Sequence, residues 1–166
     1  YAALDDQFGE RPFTTDDLPK LEPARRVVME AMRLYPPAWA VGRAVRAPIE
    51  VAGYDVPVGT QIYVLPWLTH RDPRFFEAPE TFRPDRWRGD VNKKAYFPFG
   101  GGPRKCIGAH LATMEATLMI AELVRRFRFG VAKDHRLVLQ PAVTLRPRHG
   151  IHLRIEPRPA RYRRAS

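Results

Sequence analysis

The chain contains a single cysteine, Cys106, and its neighbours favour metal-binding chemistry at the sulfur. A run of glycines from Gly100 to Gly102 precedes it. Glycines lack a Cβ and tolerate positive φ, so this backbone can approach a large flat group closely. An apolar pattern of helical period follows the cysteine, and the free amides and dipole of a helix N-terminus favour an anion. We therefore expect a thiolate, the form that ligates metals; the alternative is an ordinary lone cysteine, which is a small buried hydrophobe.

Two helices are predicted to flank this segment. The first covers residues 19–34 and ends before Pro36 and Pro37, because a residue that precedes proline is disfavoured in the α region. The second covers residues 108–127, where apolar side chains recur on one helical face. That face consists of Leu111, Met114, Leu118, Ile120, Leu123, Val124 and Phe127.

Strands are predicted between and after these helices. β-branched and turn residues between positions 49 and 65 indicate a small antiparallel hairpin or sheet. Beyond Gly130, strand-like segments at 137–139 and 151–153 are separated by a turn at 148–150.

Residues 99–108 carry a resemblance to a known family. Phe, Gly, Arg, Cys and Gly recur there with the spacing FxxGxRxCxG, at Phe99, Gly102, Arg104, Cys106 and Gly108. This spacing resembles the haem-binding signature of the cytochrome P-450 family, the haem-thiolate monooxygenases. The resemblance implies that Cys106 is the axial ligand of a haem b iron (iron protoporphyrin IX), where a thiolate favours cleavage of the O–O bond. His110 is an alternative ligand, but the motif assigns the cysteine.

Two upstream segments resemble the same family. Glu30 and Arg33 are similar to its ExxR element on the K helix, and PETFRPDRW, residues 79–87, resembles the segment that supplies Arg86 to a structural triad with them. Taken alone, Glu and Arg at i,i+3 usually form a solvated surface pair. The resemblance implies a buried network, in which removing one partner costs about 3–5 kcal/mol.

The resemblance also implies roles around the haem. Residues 36–60 have the shape of the hairpin that follows the K helix, and Arg43 and Arg104 would pair with the haem propionates, a task that suits the guanidinium fork. Phe99 would pack beside the sulfur. Positions that would face a hydrophobic small-molecule substrate are Ala38, Trp39, Ala40 and Val41 in the loop after the K helix, and Val143 and Thr144 in a late turn. Trp39 could equally be a core residue.

The implied fold class is α+β, mainly α. It is the C-terminal part of the cytochrome P-450 fold, with a K helix, small β-sheet, meander, Cys-ligand loop, L helix and C-terminal β-hairpin. We expect residues 1–166 to be the C-terminal haem-binding portion of a single domain, without the N-terminal part that carries the oxygen-activating helix. This polypeptide alone is expected to be inactive.

The complete parent is expected to insert one atom of O2 into a hydrophobic substrate with electrons from a redox partner. Two alternatives stay open: a peroxide-using or peroxide-rearranging haem-thiolate enzyme, and a non-functional truncated fragment.

The net charge of +10 raises the question of a polyanionic partner. Nucleic-acid binding is not expected, since the cations are scattered and do not alternate with aromatic side chains in a stacking platform. A subset is expected on the cysteine side of the haem, where it would steer a ferredoxin or flavoprotein reductase; scattered solubilising charge is the alternative. The subset is Lys93, Lys94, Lys105, Arg125, Arg126 and Arg128.

The cellular compartment is inferred from two features that the sequence lacks. No apolar run approaches the roughly 18 residues of a transmembrane helix, and one cysteine excludes an internal disulfide. A cytoplasmic location is therefore the default expectation.

Overall fold

The computed structural model describes residues 8, 11–92 and 94–158. Three α-helices lie in this part of the chain: α1 (Glu22–Leu34), α2 (Pro66–Thr69) and α3 (Ala109–Arg126). Three 3-10 helices lie at Thr15–Lys20, Pro84–Arg88 and Gly102–Arg104. The predicted α+β class is confirmed.

The described strands form four antiparallel pairs. β1 (Val41–Ala44) pairs with β4 (Gln61–Val64), and β2 (Ile49–Val51) pairs with β3 (Tyr54–Val56). β5 (Phe127–Val131) pairs with β8 (Leu153–Pro157), and β6 (Leu139–Pro141) pairs with β7 (Leu145–Pro147). The predicted hairpin is therefore two nested pairs, with β2 and β3 inside β1 and β4.

The predicted helix ends are largely confirmed. α1 ends at Leu34, and the next residue, Tyr35, directly precedes Pro36. α3 lies between Gly108 and Phe127. The predicted start at residue 19 was wrong, because residues 15–20 form a 3-10 helix and the α-helix begins after Leu21. Pro23 in the first turn suits an α-helix that begins at this point.

The two C-terminal strand segments begin later than predicted. Of residues 137–139 and 151–153, only Leu139 and Leu153 lie in strands, opposite Pro147 and Val131 respectively. β5 starts directly where α3 ends and pairs with β8.

The core lies between α1 and α3. Leu21, Ala24 and Ala121 are buried there, with Phe8 and Phe13 meeting edge to face beside them. Small alanines on both helices allow close approach of the two axes. None of the helices in the described residues is long and apolar enough to cross a membrane.

Candidate functional site

The sulfur of Cys106 is exposed at the end of a glycine-rich loop. Gly100 and Gly102 have φ of 74° and 70°, which favours glycine, and a Cβ built on either of them or on Gly101 would meet no atom within 4 Å. The Cys106 amide donates to the Phe99 carbonyl at 3.0 Å and closes the loop. The loop therefore presents bare backbone and one sulfur on an open side, three residues before the first residue of α3.

Glu30 on α1 is the centre of a buried polar cluster. Its Oε1 accepts hydrogen bonds from Arg33 Nη2 (2.9 Å), the Arg83 amide (2.9 Å) and Arg86 Nε (3.0 Å). Its Oε2 accepts from Arg33 Nε and Trp87 Nε1, both at 3.0 Å. The structure thus brings Glu30, Arg33 and Arg86 into contact, with Glu30 and Arg33 fully buried rather than on a solvated surface.

The remaining donors of the two arginines tie the meander to α1. Arg33 Nη1 donates to the carbonyls of His70 and Pro79, at 2.7 and 2.6 Å. Arg86 Nη1 donates to the carbonyl of Glu77 at 2.8 Å. Buried charges are tolerated only when paired and hydrogen-bonded, and this cluster meets that condition.

The ionisation of Glu30 follows from these contacts. Burial by itself would raise the pKa of its carboxyl group, but the hydrogen bonds from Arg33, the Arg83 amide and Arg86 outweigh burial and hold the pKa below its usual value. Glu30 is therefore a carboxylate in the folded protein and balances part of the buried guanidinium charge.

The sequence did not indicate a role for His70, the residue that follows α2. Its side chain is completely buried, and burial lowers its pKa to about 4. Nε2 accepts a hydrogen bond from the Phe97 amide at 3.0 Å, and Nδ1 lies 3.2 Å from the Arg33 carbonyl. A lone histidine carries no spacing signal, so only the fold reveals it.

We expect His70 to make stability pH-dependent. In the folded state it stays neutral down to about pH 4, whereas in the unfolded chain it takes up a proton near pH 6.5. The unfolded state therefore binds more protons between these values, and the free energy of unfolding falls by about 1.4 kcal/mol per pH unit as the pH drops through this window. Chemical unfolding at pH 6.5 and 4.5 measures the slope; the His70→Gln variant should lose it, and an equal slope in that variant contradicts the prediction.

The two segments that carry the predicted substrate-facing residues are joined by hydrogen bonds. Trp39 Nε1 donates to the Ala142 carbonyl at 2.9 Å, and the Leu145 amide donates to the Pro37 carbonyl at 2.9 Å. These bonds join the segment after α1 to the β6–β7 hairpin, whose turn contains Val143 and Thr144. The prediction that Val41 lies in the loop was wrong: it is the first residue of β1 and pairs with Val64.

An apolar cavity of about 250 Å³ lies beneath this junction. Its lining residues are Trp39, Trp67, Leu139, Pro141 and Leu145. Trp39 is half-buried: its side chain lines the cavity, and its indole N–H donates to Ala142. It is therefore neither a fully buried core residue nor a free loop side chain.

Comparison with known proteins identifies the family. The family model described as "Cytochrome P450" matches residues 1–154. The chain belongs to the cytochrome P450 family. Human cytochrome P450 4V2 is 39% identical over 164 residues, which cover 95% of this chain and 31% of that protein.

Other P450 relatives give the same result. Cyclooctat-9-en-7-ol 5-monooxygenase from Streptomyces melanosporofaciens is 42% identical over 132 residues, 77% of this chain and 29% of the relative. The crystal structure of the cytochrome P450DA heme domain superposes with a TM-score of 0.86 at 28% identity, over 96% of this chain and 37% of that one. The chain thus spans about a third of the length of the P450 proteins it matches.

The donor set of this P450 chain fits a haem. No cluster of three or more His, Cys, Asp or Glu side chains in the described residues could hold a bare metal ion. A single exposed thiol suits a metal whose other positions are filled by a prosthetic group, as the four porphyrin nitrogens fill them. Arg43 and Arg104 are exposed, and neither has a carboxylate partner within the described part of the chain.

The cations expected to face a redox partner have unequal surroundings. Lys94, Lys105 and Arg128 are exposed, and Arg126 is exposed but paired with Glu122. Arg125 is buried, where it donates to Glu122 and to the Arg11 carbonyl, so its inclusion among steering charges was wrong. Lys93 lies outside the described residues.

Proposed function

We propose that this chain is the haem-binding portion of a haem-thiolate monooxygenase, with Cys106 as the axial ligand of haem b. A haem held by the thiolate would supply activation of dioxygen: with two electrons from a redox partner and two protons, one oxygen atom would enter an organic substrate and the other would leave as water. The observation that carries the proposal is the exposed sulfur of Cys106 on an open glycine loop, in a chain of the P450 family. The activity is that of the complete protein.

The residues around the sulfur have separable tasks. Phe99 ties the two ends of the loop together through its carbonyl, and Gly108 lies beside the sulfur, where a Cβ would be in ordinary van der Waals contact with Sγ at 3.8 Å. Gly102, with positive φ, lets the loop turn before Arg104. These contacts support a preorganised ligand rather than one that must fold around the haem.

Arg43 and Arg104 are proposed to bind the haem propionates. We expect Arg43→Gln to increase the rate of haem loss about tenfold or more, because a charge-assisted hydrogen bond is worth roughly 1.5–3 kcal/mol. Transfer of haem to an apo-globin acceptor measures the rate. Arg46→Gln, an exposed arginine three positions later, is the control; equal rates for the two variants would remove Arg43 from the site.

The two joined segments after α1 and in the β6–β7 turn are proposed to face a hydrophobic substrate. Ala38, Ala40 and Val41 lie on the first segment, and Val143, which is 97% exposed, lies with Thr144 at the tip of the second. Their apolar character supports a hydrophobic ligand without selecting among fatty acids, terpenes and aromatics.

Trp39→Phe tests whether the bond between these segments matters. We expect a loss of about 1 kcal/mol in stability, since one hydrogen bond is removed. We also expect a changed ratio of hydroxylated positions on laurate, since the turn keeps only the Leu145–Pro37 bond to the segment after α1. Trp67→Phe, in the same cavity, is the control for packing loss. Identical product ratios for Trp39→Phe and the wild type would show that the bond does not shape the pocket.

The exposed cations Lys94, Lys105 and Arg128 support an acidic redox partner, a ferredoxin or a flavoprotein reductase. Salt would screen the long-range attraction between these cations and the acidic partner.

One experiment tests the reaction and the partner together. The haem-loaded protein from the complete reading frame is given laurate and ¹⁸O₂ with a reduced ferredoxin system, or hydrogen peroxide alone. We expect product with one ¹⁸O atom that requires the electron supply, and reduction that slows as ionic strength rises. Product with peroxide only would indicate the peroxide-using alternative, and salt-independent reduction would remove the steering role. Product in neither case, with laurate or with a terpene or aromatic probe, would count against catalysis.

A further inference from the structure

We propose that His70 is a positioning residue for the cysteine loop: its Nε2 holds the Phe97 amide and thereby fixes the segment that presents Cys106. The proposal rests on the proposed ligation of haem by Cys106. It concerns a histidine whose ring bonds to Arg33 and Phe97, which lie outside the predicted substrate segments.

The His70 ring is held in a fixed orientation. It is completely buried, with the rings of Tyr96 and Phe97 each 5.3 Å away and that of Phe76 at 6.2 Å, measured between ring centroids. His70 and Arg33 exchange hydrogen bonds, since Arg33 Nη1 donates to the His70 carbonyl and the His70 ring contacts the Arg33 carbonyl. The ring is therefore anchored to the end of α1 that carries the Glu30 cluster.

The contacts define which ring nitrogen carries the proton. Nε2 faces a backbone N–H donor, that of Phe97, and so must be the acceptor. Nδ1 faces the Arg33 carbonyl and so must be the donor. A neutral ring with the proton on Nδ1 satisfies both contacts, and burial favours the neutral form.

From Phe97 the connection runs directly into the cysteine loop. The Phe97 carbonyl accepts from the Gly100 amide at 2.9 Å, and the Phe99 carbonyl accepts from the Cys106 amide at 3.0 Å. Residues 97–106 are thus a loop closed on itself, and the hydrogen bond from the Phe97 amide to His70 Nε2 attaches this loop to the described fold around α1. The glycines of this loop supply no side-chain packing of their own.

Two variants separate this positioning role from simple space filling. The side-chain oxygen of Gln can occupy the place of Nε2 and accept from Phe97, whereas the amide nitrogen of Asn can occupy the place of Nδ1 and donate only to Arg33. We expect His70→Gln to keep the wild-type ratio of thiolate-ligated to other haem in the reduced carbon-monoxide complex. His70→Asn should lower this ratio about tenfold, the change that one ordinary hydrogen bond produces in an equilibrium.

The result is read on the holoprotein from the complete reading frame. Equal ratios in both variants, or a better ratio in His70→Asn, would overturn the proposal. If both variants fail to fold, amide exchange of the wild type decides: the Phe97 amide should exchange at least about 100-fold more slowly than that of the exposed Ile107. Comparable rates would overturn the proposal.

The same data distinguish its failure from failure of the proposed function. A wild-type protein that gives no thiolate spectrum contradicts ligation by Cys106. Fast exchange at Phe97 in a protein that does give the spectrum contradicts only the role of His70.

Discussion

Replacing Glu30 with glutamine is expected to lower the free energy of unfolding by about 3–5 kcal/mol, a large part of the 5–15 kcal/mol typical of folded domains. Glutamine has the shape of glutamate but no charge, and its amide group turns donors toward Arg33, Arg86 or Trp87, which are donors themselves. Two buried guanidinium groups then lose their counter-charge. Chemical unfolding of the holoprotein, followed by circular dichroism, measures the loss.

The same helix supplies a matched control for this substitution. Glu22 and Arg25 also form an i,i+3 pair, with atoms 2.7 Å apart, closer than the 2.9 Å between Glu30 and Arg33. Their side chains are 41% and 42% exposed, so Glu22→Gln should cost no more than about 1 kcal/mol. Burial rather than distance decides the difference. Similar costs for Glu22→Gln and Glu30→Gln would mean that the Glu30 cluster does not hold the meander to α1.

The predictable part of this fold was encoded locally. The apolar face that gives α3 and the prolines that end α1 act over a few residues, so their positions could be read from the sequence. The contact between Glu30 and Arg86 spans 56 residues and was accessible only through the family resemblance.

What could not be predicted depends on long-range packing. β5 follows α3 directly and pairs with β8, and nothing in residues 151–153 identifies Val131 as the partner of Leu153. Arg125 resembled a surface charge, yet it lies over the Phe13 ring at 4.5 Å and contacts the Arg11 carbonyl. Trp87 lies inside the PETFRPDRW segment, but the sequence did not indicate a role for its indole N–H. The structure shows that this N–H donates one of the five hydrogen bonds that the Glu30 carboxylate accepts.

The misses at Arg125, Trp87 and His70 share one physical origin. Polar groups that are buried must find partners wherever the chain brings them, and sequence spacing does not report partners that lie far away along the chain. His70 is the clearest case, because both partners of its ring, Arg33 and Phe97, lie at least 27 residues away along the chain.

The substitution with the largest expected effect on activity is Cys106→Ser. A serine hydroxyl does not ionise near neutral pH, so the thiolate donor is lost while the loop keeps its size. Outer contacts of a metal ligand typically change affinity or activity by 10- to 100-fold, and we expect loss of the ligand itself to reduce monooxygenase turnover by more than about 100-fold. The reduced carbon-monoxide complex should lose its thiolate absorption band at the same time.

His110→Ala is the matched control, because His110 is the other candidate ligand and lies four residues away in the first turn of α3. It is exposed in the structure. We expect this variant to keep the thiolate band and turnover within about twofold of the wild type, a difference typical of surface substitutions away from structural features. The reverse outcome, a retained band in Cys106→Ser and a lost band in His110→Ala, would transfer ligation to the histidine.

Because Cys106 ends a loop anchored through Phe97 and His70 to α1, Glu30→Gln should also weaken the thiolate band, whereas Cys106→Ser should leave the unfolding midpoint of the haem-free protein unchanged. This asymmetry separates the residue that binds from the residues that position it.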